Sequence, residues 1–209
     1  MKIVLLIALG IMVIAVVMVF GCATTRKGYE SAKYTVVVAD ESTEVRDYPA
    51  LIVAETPMPE TGGRAQNSGF MSLFRYISGN NERQQKIPMT TPVLMVGTAT
   101  NSATSTNASM AFVMPGKFSF GDLPRPTTTN VILRQMEPAR YAVRRFSGSR
   151  NDALLTRESE ALLRWLETKT ITPLAAPFFA FYDPPWTPGF LRRNEVLVRI
   201  PSPAHSVVK

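Results

Sequence analysis

The chain has 209 residues, 45% of them hydrophobic, and carries a net charge of +7. That apolar content supports one globular domain with a substantial core, while a single cysteine excludes an internal disulfide as its staple. The basic residues are scattered, as in Arg144, Arg145, Arg150, Arg192 and Arg193. Without a basic block or a known binding motif they argue against nucleic acid and leave an anionic ligand or an acidic lipid surface.

Lys2 precedes an apolar run from Ile3 to Phe20, which passes through Gly21 to the lone Cys22 and then to Ala23, Thr24 and Thr25. A charged start, an apolar stretch and a cysteine at its end read as a lipoprotein leader, and Val19-Phe20-Gly21-Cys22 resembles the box that bacterial signal peptidase II cuts. On this reading residues 1–21 are a signal peptide, Cys22 is acylated and holds the protein to a membrane, and residues 22–33 are a polar tether. A run of roughly 18 residues is also long enough to stay as an uncleaved membrane-spanning helix. Either way the domain sits in the cell envelope, facing the periplasm or the exterior.

The fold is expected to begin near Tyr34. Tyr34 to Ala39 and Glu44 to Thr56 are rich in Val, Tyr and Ile and read as strands, with Val45, Leu51 and Val53 facing the core and Pro49 marking a bend. Asn67 or Ser68 caps a short helix whose apolar residues Phe70, Met71, Phe74 and Ile77 recur at three- and four-residue steps, and Gly79 ends it. Val93 to Val96 and Met110 to Met114 are two further strands. The polar stretch between them, Gly97 to Ser109, reads as a mobile hairpin loop carrying the sequon Asn107-Ala108-Ser109.

The order then repeats. Val131 to Met136 and Tyr141 to Phe146 are strands, and Asn151 to about Lys169 is a longer helix with Leu154, Leu155, Leu162, Trp165 and Leu166 on one face. Pro177 to Tyr182 and Glu195 to Ile200 close the domain, with Val196, Val198 and Ile200 alternating against Glu195 and Arg199. Strand, strand, helix, strand, strand, twice over, makes an α+β fold in which both helices bury against one curved antiparallel sheet or incomplete barrel. A groove remains where the halves meet. The domain spans 34–201, followed by a tail at 202–209.

Several runs stand out: Glu44-Val45-Arg46-Asp47-Tyr48-Pro49, Phe74-Arg75-Tyr76-Ile77-Ser78-Gly79-Asn80-Asn81, and Lys86-Ile87-Pro88-Met89-Thr90-Thr91-Pro92-Val93. Phe112-Val113-Met114-Pro115, Arg145-Phe146-Ser147-Gly148, and Tyr182-Asp183-Pro184-Pro185-Trp186-Thr187-Pro188 with Arg192-Arg193-Asn194-Glu195-Val196 follow them. In order and spacing these resemble the SOUL haem-binding family. The resemblance implies a distorted antiparallel β-barrel of two pseudo-symmetric halves, each with a helix, that binds haem or another tetrapyrrole without a known reaction. It places the ligand near the first helix and the loop before the last strand, hence at Phe70, Met71, Phe74 and Ile77, and at Trp186 and Thr187.

A flat macrocycle needs apolar walls for its faces and cations for its propionates, for which Arg75, Lys86, Arg192 and Arg193 are the candidates. The chain departs from animal members of the family in carrying neutral Asn67 and Thr187 where basic residues flank the macrocycle. The single histidine, His205, stands in the tail, so iron ligation falls to Tyr76, Met71 or Met89, or to none. No catalytic residue is expected, because no histidine is placed beside a nucleophile, and no metal cluster or phosphate loop is present in the sequence. Glu195 is the one acidic residue of interest, since related two-part folds use such a group in the groove. The alternatives to a tetrapyrrole binder are a binder of another flat apolar ligand and an envelope interaction protein with a vestigial groove.

Overall fold

The structure is a computed structural model in which residues 28–58, 63–97 and 108–202 are described. The leader, Cys22, the sequon at Asn107 and His205 lie outside the described residues.

The alternating segments form strands β1 (Glu30–Ser31), β2 (Thr35–Asp40), β3 (Thr43–Tyr48) and β4 (Leu51–Pro57), helix α1 (Gly63–Ile77), and strands β5 (Thr90–Thr91), β6 (Val93–Val96) and β7 (Ser109–Val113). The second half supplies β8 (Ile132–Met136), β9 (Ala139–Phe146), α2 (Asp152–Thr168), β10 (Phe178–Phe181) and β11 (Asn194–Ile200). Pro49 falls in the break between β3 and β4, since proline has no N–H to give a ladder. β1 pairs in parallel with β5, and Ser31 Oγ meets Thr91 Oγ1 at 2.8 Å. Packing therefore starts upstream of Tyr34, inside the stretch read as tether.

α1 begins at Gly63 rather than at the Asn67 or Ser68 cap. Gly63 to Asn67 carry no apolar repeat, but Arg64, Ala65 and Gln66 are good helix formers and extend the helix backward. Gly79, at φ 114°, ends it in the left-handed conformation that a side chain disfavours. α2 matches its expected span: the Asn151 side chain accepts from the Leu154 N–H at 2.9 Å and caps the first turn, while Leu155, Leu162 and Leu166 are buried.

The nine antiparallel strands run β2-β3-β9-β11-β10-β6-β7-β4-β8. Eight of the strands are two-fold about the β10–β6 seam. β10, β11, β9 and β3 on one side answer to β6, β7, β4 and β8 on the other, so the halves exchange β3 and β8, and β2 extends one edge without a counterpart. α2 lies on β9 and β11 and α1 on the equivalent β4 and β7. The strands at the two ends are not paired with each other, so the sheet is a curled half-barrel rather than a closed one.

Both faces of the central strands are buried, whereas the edge strands β2 and β8 stay largely exposed. The helix-bearing face holds Val45, Ala54, Met95, Phe112, Ala142, Phe179, Phe181 and Val196 against Leu73, Tyr76, Ile77 and Leu162. The opposite face holds Tyr48, Val53, Leu94, Tyr141, Val143, Tyr182 and Leu197. β11 shows the result: Val196, Val198 and Ile200 face the helices, and Glu195 on the other side is no more exposed than they are.

Candidate functional site

The seam leaves its helix-bearing floor to Phe179 and Phe181 of β10 and Val93 and Met95 of β6, which pair Phe179↔Met95 and Phe181↔Val93. β7 continues the row, with Phe112 opposite Val93. Two strand spacings separate Phe112 from Phe181, about 10 Å. Onto Phe112 packs Phe70 of α1, edge-on at 5.3 Å, and Phe70 in turn stacks with Phe74 at 6.0 Å and 12°. One aromatic row therefore runs from the exposed shoulder of α1 to the two-fold axis.

The far end of the row is cationic. The Arg150 guanidinium sits 4.6 Å above the Phe181 ring, and its Nη1 donates to Met95 Sδ at 3.5 Å. Among the described residues no carboxylate lies within salt-bridge distance of it. Burial, with the neighbouring positive charge of Arg192, holds its pKa below the usual arginine value. Arg192 donates from Nε to the Thr187 carbonyl at 2.7 Å and from Nη2 to the Pro185 carbonyl, which folds the proline-rich loop around it. Gly189 joins the two segments: the Gly148 N–H donates to its carbonyl at 2.9 Å, and the Arg192 N–H to the same oxygen at 3.1 Å.

The four helix residues expected in the site divide. Ile77 is buried in the core and offers no wall to a ligand, because α1 docks on the sheet through Leu73, Tyr76 and Ile77. Phe70 is half-buried, and Met71 and Phe74 are 44% and 42% exposed on a helix that is otherwise well anchored. Leu73 does not stand in the expected stripe, though it is the residue that sets which side faces the sheet. In the loop, Trp186 is 80% exposed whereas Thr187 is buried, its N–H donating to the Pro184 carbonyl at 3.1 Å. Tyr76 is not available as an iron ligand: its hydroxyl is buried, donates to the Pro124 carbonyl at 2.9 Å, and is pushed up to about 12 by burial. Met89 is half-buried against the core, and Arg75 and Lys86 are exposed.

Arg193 does not face this row. It lies on the opposite face, where its Nε and Nη2 donate to Glu195 Oε1 at 3.0 and 2.7 Å. Arg46 approaches the same carboxylate side-on, Nη1 to Oε2 at 2.8 Å and Nη2 to Oε1 at 3.1 Å, and Tyr182 donates to Oε2 at 2.9 Å. Burial alone would raise the Glu195 pKa, but Arg46 and Arg193 outweigh it and hold the carboxyl below the usual glutamate range. Burial pushes Tyr182 up and Tyr48 up to about 12. Beside this network lies a small apolar concavity of about 30 Å³ lined by Tyr48, Leu94, Tyr141, Phe178, Tyr182 and Leu197. With five donated hydrogen bonds on its two oxygens, Glu195 has no lone pair directed to a substrate and reads as a structural anion.

Among the described residues no group of His, Cys, Asp and Glu is arranged to hold a metal, and no helix is long and apolar enough to cross a membrane. The partly buried cation at this seam that the sequence does not single out is Arg150. Its only signal there is an arginine just before a helix cap, which is no signal of burial.

Comparisons with known proteins extend these observations. The chain is 31% identical to human "Heme-binding protein 2" over 109 residues, covering 51% of this chain and 53% of that one, so the match spans about half the length of that relative. It is 24% identical over 177 residues to "Heme-binding protein 1" of Xenopus tropicalis, covering 84% and 83%. Among solved structures, the EcmrR C-terminal domain superposes with a TM-score of 0.57 at 11% identity, covering 81% of this chain and 98% of that one. A hydrolase from Listeria innocua gives 0.56 at 9%, covering 79% and 94%. These two establish the shared fold and nothing more. A family model described as "SOUL heme-binding protein" matches residues 29–199, from β1 into β11, and the chain belongs to that family.

Proposed function

We propose that the protein binds haem or another tetrapyrrole on the helix-bearing face, between the exposed end of the aromatic row on α1 and the proline-rich loop, and that it catalyses no reaction on it. The observation that carries this reading is the half-exposed Phe70–Phe74 stack with Met71 beside it, an apolar surface left uncovered on a docked helix. Membership of a family whose relatives are named for haem binding supports the ligand class. The residues present fit such a group: aromatic and Met side chains for the faces of the ring, and guanidinium groups for its acidic edge. Met71 is the exposed side chain able to offer a soft iron ligand, and the rest of the site would hold the macrocycle whether or not it carries metal.

Titration of the protein with ferric haem and with metal-free protoporphyrin, followed by Soret absorbance and by tryptophan quenching, tests this. Saturable one-to-one binding of both is expected, and binding of neither overturns the reading.

We further infer that the domain is held at a membrane of the cell envelope, through acylated Cys22 or an uncleaved N-terminal helix. The apolar run ending at Gly21-Cys22 supports this reading. Expression of the full chain in a bacterium, fractionation and intact mass of the product test it. A membrane-bound species starting at Cys22 and heavier by acyl chains is the expected result; an unmodified soluble chain sinks the inference.

A further inference from the structure

Arg150 and Arg192 stand on adjoining turns, close enough for the charge of one to act on the other, and among the described residues neither has a carboxylate within salt-bridge distance. Arg150 stands on the turn that leads into α2, and Arg192 closes the turn Gly189–Leu191, and Gly189 fixes the two turns together through the Gly148 N–H bond. A Cβ on Gly189 would lie 2.7 Å from Ser149 Oγ and 3.1 Å from Ser149 N, so the approach is as close as a chain without side chain permits. Elsewhere the fold pairs its buried cations. Arg46 and Arg193 share Glu195, Arg140 meets Asp47 at 2.7 Å, and Arg144 meets Glu158 at 3.0 Å. Arg150 and Arg192 are the exceptions among the partly buried arginines described: Arg192 meets loop carbonyls, and Arg150 is held over an aromatic ring with a thioether as its polar contact.

A desolvated cation beside a like charge is unfavourable unless an anion joins them. We infer that Arg150 and Arg192 form a carboxylate-binding site at the seam, which takes the acidic edge of the ligand while its apolar body extends toward the half-exposed Phe70–Phe74 stack of α1. This inference rests on the tetrapyrrole reading for the identity of the ligand, though not for the existence of the anion site. Arg192 has Nε and Nη2 committed to loop carbonyls and Nη1 as its remaining donor nitrogen. Arg150 brings the planar fork that matches a carboxylate.

The test compares protoporphyrin IX with its dimethyl ester in dilute nonionic detergent, on the wild type, Arg150→Gln and Arg150→Lys, each first shown to be folded by circular dichroism. The wild type should prefer the free acid, and Arg150→Gln should weaken acid binding by about tenfold to a hundredfold while leaving the ester unchanged. Arg150→Lys should recover part of the loss. Equal loss for acid and ester, or none for either, overturns the carboxylate site while leaving tetrapyrrole binding intact. Should the wild type bind neither porphyrin, the tetrapyrrole reading fails on its own, and thermal unfolding in sodium glutarate against sodium chloride of equal ionic strength decides the site. A rise in melting temperature with glutarate that Arg150→Gln abolishes sustains an anion site for a different acid; the same response in both proteins ends the proposal.

Discussion

Arg46 and Glu195 lie 149 residues apart in the chain and meet side-on, both oxygens engaged at 2.8 and 3.1 Å, with neither side chain reaching solvent. The pair joins β3 of the first half to β11 of the second, and Arg193 and Tyr182 complete the carboxylate's shell. Glu195→Gln leaves two buried guanidinium groups facing a neutral amide. A loss of about 3–5 kcal/mol in urea unfolding is expected, because removing one partner of a buried pair strands the other. A loss under about 1 kcal/mol would show that the network is solvated in solution.

The same carboxylate sets an acid limit. Its pKa in the fold lies below the unfolded glutamate value of about 4.3, so its stabilising contribution is fully present above that value and is lost as pH falls through the folded pKa. Urea midpoints of the wild type should therefore hold steady with respect to this group from neutral pH to about pH 5 and decline below about pH 4. The gap between wild type and Glu195→Gln should narrow there, since the glutamine cannot titrate. A gap that is constant down to pH 3 refutes the assignment.

Phe74→Ala removes an exposed ring from the stack with Phe70, so its effect on folding should be small and its effect on ligand large. Tetrapyrrole affinity should fall about tenfold, the worth of one aromatic contact. Unchanged affinity in a folded variant would move the ligand off α1.

Tyr76→Phe separates packing from ligation. The hydroxyl's bond to the Pro124 carbonyl disappears, leaving a buried acceptor unpaired at a cost of about 1–3 kcal/mol, whereas the absorption spectrum of the haem complex should be unaltered. A shifted Soret band would reinstate Tyr76 as a ligand.

Gly189→Ala tests the close approach of the two turns. Its Cβ meets Ser149 backbone as well as side chain, so the turns must part at a cost of about 1–3 kcal/mol. Affinity for a carboxylate-bearing porphyrin should drop more than affinity for its ester, as Arg150 moves away from Arg192. Parallel losses would confine the effect of Gly189 to folding.

Much of the architecture is legible in the chain because its signals are local. Val196, Val198 and Ile200 alternate along one strand, Asn151 caps the helix it precedes, and Pro49 breaks a strand, each readable within a few residues. The start of α1 is not, because helix propensity without an apolar repeat leaves no stripe over Gly63 to Asn67. β1 escapes notice for its length, two residues held by a partner sixty positions away. At the site, Phe70 and Phe74 are readable as an aromatic stripe, but which side of α1 faces the sheet depends on Leu73 and Tyr76 docking against strands from both ends of the first half. The environments of Glu195 and Arg150 are wholly tertiary. A glutamate beside Arg193 looks like a surface strand residue, and an arginine before a cap looks solvated, until strand order brings partners to the first and withholds them from the second.

Exchange of β3 and β8 between the halves makes the domain, in topology, a domain-swapped dimer joined into one polypeptide, with the seam as its dyad. In a dimer of identical chains every side chain at the dyad is repeated across it, so a groove there is condemned to symmetric chemistry. Fusion lifts that constraint. One rim carries the Phe70–Phe74 aromatics of α1, and the other carries Arg150 at the start of α2, so a symmetric scaffold presents a polar and an apolar end to whatever it holds.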